Sequence, residues 1–306
     1  RAGEDRVALV AVDLGASLDK TAVVERVADL GYGMDTVLLC ATHTHAGPEE
    51  WTDWIEDRIA TSIRRAHEDL APARATWARV TVDGVNQCRS VEAHLANHGL
   101  DLPPGEGSPE LDPDGPDHVR DLDLRLLRVD RADGTPLTAW SVFAVHPTNF
   151  PNTNTLFSAD LSGLAVRRFE ASFADGPDAA GFTTMTAPGA PVGILANGNQ
   201  GDLISRYESH NPHSSADLMG RRLAEGMRRL WDEAGERLTR DVAIGTRWTR
   251  MGYEGQVVDD EGHRVADQAL WGLPFLGGAK NGPSPFYQDG TSEGIRRPAE
   301  ERQPPQ

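Results

Sequence analysis

The sequence predicts an α/β protein: a layered domain with a largely parallel or mixed central sheet flanked by helices. Two observations carry this. Within residues 6–41 a buried strand, an amphipathic helix and a second buried strand follow one another, a βαβ unit with parallel pairing and a right-handed crossover. Beyond it, strand-like apolar runs at 76–82, 122–129, 137–145 and 192–196 interleave with helical patterns at 49–70, 158–173 and 215–238. A chain of 306 residues, 39% of them hydrophobic, is long enough to bury a sizeable core.

The elements read as follows. Arg6–Asp13 (RVALVAVD) is the first strand, and Asp19–Leu30 is a helix with Ser17 as cap and Gly31 as stop. Thr36–Ala41 (TVLLCA) is the second strand, with Cys40 reading as a small buried hydrophobe. In the helix at 49–70, Trp51, Trp54, Ile55, Ile59, Ile63 and Leu70 recur at helical spacing, so both Trp residues are expected to face the core. Glu49 and Glu50 suit the positive end of that helix. Leu100–Pro116, rich in Pro, Gly and Asp, reads as a surface loop, and Ser158 caps the next helix. Asp241–Thr249 alternates as a last strand. From Gly277 the chain is dense in Gly, Pro and charge and buries no core. The expected organisation is one domain over 1–291 and a flexible tail over 292–306.

Composition narrows the partners. A formal net charge of -17 repels phosphate backbones, so nucleic acid is not an expected partner. No run approaches the roughly 18 apolar residues of a membrane span. Two cysteines, Cys40 and Cys88, do not make a disulfide framework. The chain opens on Arg1 without an initiator Met and enters a strand almost at once, which reads as a lost start. The lack of a signal peptide therefore carries no weight.

Four segments could carry chemistry. Ala41-Thr42-His43-Thr44-His45-Ala46-Gly47-Pro48 lies just past the carboxyl end of a buried strand, where open α/β sheets bind ligands. Histidines two apart face the same way on an extended backbone, an arrangement suited to zinc; the other reading is two polar loop residues bonded to backbone. Phe143-Ala144-Val145-His146-Pro147-Thr148-Asn149 delivers a third His at a strand end, with Pro147 holding His146 extended. Neighbouring parallel strands would bring His43 and His146 together. In Asn197-Gly198-Asn199-Gln200-Gly201-Asp202, small and amide residues let a ligand approach the backbone, which makes Asn199 and Asp202 candidate substrate contacts; a tight turn is the plainer reading. In Asn86-Gln87-Cys88-Arg89-Ser90, Arg89 is a solvated loop residue or, near a metal, an oxyanion partner.

Taken together, ATHTHAGP, FAVHPTN followed by NTNTLFSADLSGLA, NQCRSVEAHLANH and NGNQGDL resemble, in this order, the neutral non-lysosomal ceramidases. The late segment LWGLPFLGGAKNGPSPFYQDGT resembles the family's stretch before its second half. The resemblance implies a secreted or extracytoplasmic zinc amidase that splits ceramide into sphingosine and a fatty acid, with transient membrane-surface contact. By motif position it implies His43 and His146 as zinc ligands, and His45 and Arg89 as catalytic groups. The family's G-D-x-S-P serine falls here on Ile204, with Ser205 one residue later as its candidate replacement. The family's further Glu and Tyr ligands are expected from beyond Gln306. Another N-acyl lipid as substrate, and a non-catalytic fragment, are the alternative readings.

Overall fold

The structure is a computed structural model that describes residues 2–3, 5–16, 18–48, 50–89, 119–150, 153–173, 189–206, 208–209, 211–265, 278–279 and 282–283. The chain divides into two compact units, Arg1–Val91 with Pro103–Arg247, and Glu92–Leu102 with Trp248–Gln306. The expected loop at 100–116, the Ser17 cap and the tail at 292–306 lie outside the described residues.

The first unit begins with the expected βαβ unit: β1 (Ala8–Val12), α1 (Lys20–Val27) and β2 (Val37–Ala41), with β1 and β2 parallel. Asp19 caps α1 by accepting from the Thr21 amide at 2.9 Å. Gly31 ends the following 3-10 turn at φ 79, a left-handed conformation that glycine adopts without strain. α2 (Thr52–Glu68) packs through Ile55, Ile59 and Ile63 against Val23, Val27 and Val37.

β3 (Ala73–Thr81), β5 (Asp123–Arg131), β6 (Pro136–Phe143) and β7 (Val192–Asn197) form a mixed sheet in the order β3-β5-β6-β7. The first two pairings are antiparallel, and β6–β7 is parallel. α3 (Asp160–Ala171) and α4 (Pro212–Ala234) cover it. Leu124 and Leu126 alternate inward from β5 to meet Phe143, Phe169, Met219, Leu223 and Met227. β4 (Asn86–Cys88) and β8 (Leu203–Ser205), too short to show in the sequence pattern, pair antiparallel. α4 starts three residues before the expected Ser215, because Asn211 caps it and Pro212 suits its first turn.

Two expectations are corrected. Trp51 and Trp54 do not face the core; they are 61% and 60% exposed. The helix starts only at Thr52, and Trp54 sits one residue, about 100°, before Ile55 on a stripe that continues the other way through Glu56 and Ala60. Residues 241–249 form no strand: alternation gave the pattern, but only Thr239 finds a partner edge, in a bridge to Ala75. In the second unit, the described residues hold a turn bridged between Val257 and Arg264 and the antiparallel pair β9 (Gly278–Ala279) and β10 (Gly282–Pro283).

Candidate metal centre

His43 and His45 follow β2, and His146 follows β6. β2 and β6 are not hydrogen-bonded neighbours, so adjacency of parallel strands does not explain how these residues meet. Asn197, at the carboxyl end of β7, supplies the connection. Its amide nitrogen donates to the Thr42 carbonyl and to the Val145 carbonyl, each at 2.8 Å. One side chain thus pins the two peptides that immediately precede His43 and His146. The backbone also turns at His43, whose φ is 64, so the two histidines of the H-T-H segment are not displayed from an extended strand. A non-glycine residue in the left-handed region costs about 1 kcal/mol or more and is held there by its surroundings. Gly47 lets this turn lie close to β1's end: a Cβ there would stand 2.6 Å from the Asp13 carbonyl oxygen.

The three imidazoles converge through Nε2. His43 and His146 are 2.9 Å apart at these atoms, His45 and His146 3.0 Å, and His45 and His43 3.4 Å. The other ring nitrogens fix the tautomers. His43 Nδ1 donates to the Gly15 carbonyl and His146 Nδ1 to the Gln200 carbonyl at 3.2 Å. In the neutral rings this leaves a lone pair on each facing Nε2. Two lone pairs cannot satisfy each other, and one N–H from His45 could satisfy only one of them. A Lewis acid placed between them satisfies both. Nitrogens held tetrahedrally at about 2.0–2.1 Å from zinc stand about 3.3–3.4 Å apart, within a few tenths of an ångström of the separations here. Backbone carbonyls behind ligating imidazoles are the usual means of orienting them. The donor set therefore fits a metal ion, and His43, His45 and His146 could hold one. Burial, then repulsion from His43, pushes the His146 pKa down to about 3 from its ordinary 6.5, so this imidazole is neutral and ready to ligate at physiological pH.

The support beneath His146 is a buried polar chain. The His146 amide donates to the Leu203 carbonyl at 2.6 Å, and the Ser205 amide donates to the His146 carbonyl at 3.3 Å. Ser205 is fully buried, and its hydroxyl donates to Asn149 Oδ1 at 3.0 Å. Asn149 in turn donates through its amide nitrogen and its backbone to the two oxygens of buried Asp160, at 2.7 and 2.9 Å. Burial raises the Asp160 pKa, and these hydrogen bonds oppose that shift. Asp160 has φ 50, a second left-handed non-glycine residue close to the site in structure.

Arg89 follows β4. Its Nε and Nη2 donate to the Gly201 carbonyl at 3.1 and 2.5 Å, and its charge is felt at His146, whose protonated form it disfavours. Asn199 and Asp202 are exposed and line an open cavity of about 500 Å³ with Arg120, Asp121 and Asp123. The three histidines expected from the sequence come together, and Arg89 lies where its charge reaches His146. Asn197, which opens the N-G-N-Q-G-D segment at a strand end, and the Asn149–Asp160 pair, with a buried Asp at a helix start, were not expected from the sequence.

Comparison with known proteins is consistent along the chain. The model of the family described as "Neutral/alkaline non-lysosomal ceramidase, N-terminal" matches residues 49–299. The neutral ceramidase of Mycobacterium tuberculosis is 25% identical over 320 residues, covering 92% of this chain and 46% of that protein. Neutral ceramidase A of Dictyostelium discoideum is 28% identical over 189 residues, covering 56% of this chain and 24% of that protein. The chain thus spans less than half the length of these relatives. The crystal structure of neutral ceramidase from Pseudomonas aeruginosa has the same fold, with a TM-score of 0.58 and 24% identity, over 76% of this chain and 38% of that one.

Proposed function

The chain belongs to the neutral/alkaline non-lysosomal ceramidase family, and from that premise we propose that it hydrolyses the N-acyl amide bond of ceramide, with zinc held by His43 and His146. Residues 1–291 form its catalytic part in this reading. The observation that supports it most is the convergence of two imidazole lone pairs, on His43 and His146, with His45 beside both.

An amide is a poor electrophile with a poor leaving group. Zinc bound here supplies Lewis-acid polarisation of the carbonyl oxygen and activation of water at neutral pH. The chain's own groups do the rest. His45, exposed and with Nε2 at 3.0–3.4 Å from the other two, carries a proton from the attacking water to the departing amine nitrogen as the C–N bond breaks. Arg89, anchored on Gly201, puts positive charge where the tetrahedral oxyanion develops. Asn199 and Asp202 contact the polar part of the substrate. Ser205 orients the turn that carries His146 through Asn149, which is a positioning role.

The test is an assay of the 306-residue chain on a fluorescent ceramide. The expected result is release of labelled fatty acid that a zinc chelator stops and added zinc restores. Cleavage indifferent to the chelator would show that no metal takes part, and no cleavage in the presence of zinc would favour the alternative readings, a non-catalytic fragment or another N-acyl lipid as substrate.

A further inference from the structure

Beside the histidine cluster lies an apolar surface that the proposed chemistry does not use. Trp51, Trp54, Leu156 and Phe157 are 60–73% exposed. The Trp51 and Phe157 rings meet edge to face with centroids 5.9 Å apart, so the two segments form one patch. Trp51 has φ 64, the third left-handed non-glycine residue near the site, and the turn leaves its indole outside the α2 stripe. The indoles line an open cavity of about 590 Å³ with Thr52 and Asp53.

This patch is fastened to the histidine segment. The Thr44 hydroxyl donates to the Ser158 carbonyl at 2.7 Å, and the Ser158 amide donates to the Ala46 carbonyl at 2.9 Å. Leu156 and Phe157 therefore project from a strip hydrogen-bonded on either side of His45. Whatever rests on them lies at the mouth of the cluster.

The residue types and the charge choose the occupant. Two indoles, a phenyl ring and a leucine form the set that sits at the boundary of headgroups and acyl chains, with the amphipathic indole at headgroup level. The charges nearest the indoles on α2 are Asp53, Asp57 and Arg58, the last stacked over Trp54 at 5.6 Å, within a chain of net charge -17. That balance offers nothing to an anionic surface or polyanion. We propose that Trp51, Trp54, Leu156 and Phe157 form a docking surface for a zwitterionic lipid bilayer, which brings a membrane-embedded amide to the histidine cluster. This rests on the lipid-amide reading above.

The experiment measures binding of the 306-residue chain to phosphatidylcholine vesicles by co-sedimentation and Trp emission, beside phosphatidylglycerol vesicles. Trp54→Ala and Phe157→Ala are compared with the parent, with folding checked by circular dichroism. The parent is expected to bind phosphatidylcholine with a blue-shifted emission, and each variant about tenfold more weakly, the scale of one aromatic side chain withdrawn from water. Hydrolysis of a water-soluble short-chain ceramide should be unchanged in the variants, while hydrolysis of long-chain ceramide in vesicles falls by the same factor. Equal vesicle binding by parent and variants would overturn the proposal. So would preference for phosphatidylglycerol, or self-association that the variants relieve without any vesicle binding. Vesicle binding needs no turnover. Failure to cleave the soluble ceramide would therefore count against the proposed activity and not against the surface.

Discussion

His146→Ala is expected to lower ceramide hydrolysis about a thousandfold or more, to a rate that added zinc does not restore. A metal's polarisation of a reacting oxygen is worth several kcal/mol, and each 1.36 kcal/mol is tenfold in rate. His146 is the most enclosed of the three imidazoles, 7% exposed, with its backbone clamped to β8 and its Nδ1 on Gln200. Losing its ring removes an oriented donor that no neighbour replaces. A circular dichroism spectrum and melting curve like the parent's would show that the loss is of the site and not of the fold. A variant within tenfold of the parent would mean that His146 is a core histidine hydrogen-bonded to the backbone.

Arg89→Ala is expected to lower kcat about a hundredfold or more with little change in KM, the scale for removing one donor to a developing oxyanion. Two of the five guanidinium N–H groups go to Gly201, which fixes the head where its charge is felt at His146 and leaves the others for substrate. Arg89→Lys keeps the charge but not the fork, so it should recover only part of the loss. An unchanged rate for Arg89→Ala would return this residue to the solvated-loop reading. A change confined to KM would make it a ground-state contact.

The sequence showed the βαβ opening, the strands of the mixed sheet and the strand-end placement of the histidines, because each is written in local periodicity. What it could not show is what joins distant segments. The Asn197 amide bridges residues 42 and 145, and nothing in the pattern around 197 separates that bridge from a tight turn. The Asp160–Asn149–Ser205 chain likewise links polar residues that read locally as a helix start, a turn and a short strand. The H-T-H spacing led to the right cluster through the wrong geometry: the left-handed turn at His43, not an extended backbone, brings the rings together. The Trp pair failed for a similar reason. Helical spacing counts from an assumed helix start, and with α2 beginning at Thr52 the buried stripe runs through Ile55, Ile59 and Ile63, leaving both indoles outside.

His43 and His146, with His45 beside them, are proposed to hold zinc, and titration of zinc into the metal-free chain against a chromophoric chelator is the decisive measurement. One zinc is expected per chain, lost in His43→Ala and in His146→Ala, whereas His45→Ala should keep zinc and lose turnover. A parent chain that binds no more zinc than the His43→Ala, His146→Ala double variant would show that these histidines hold no metal.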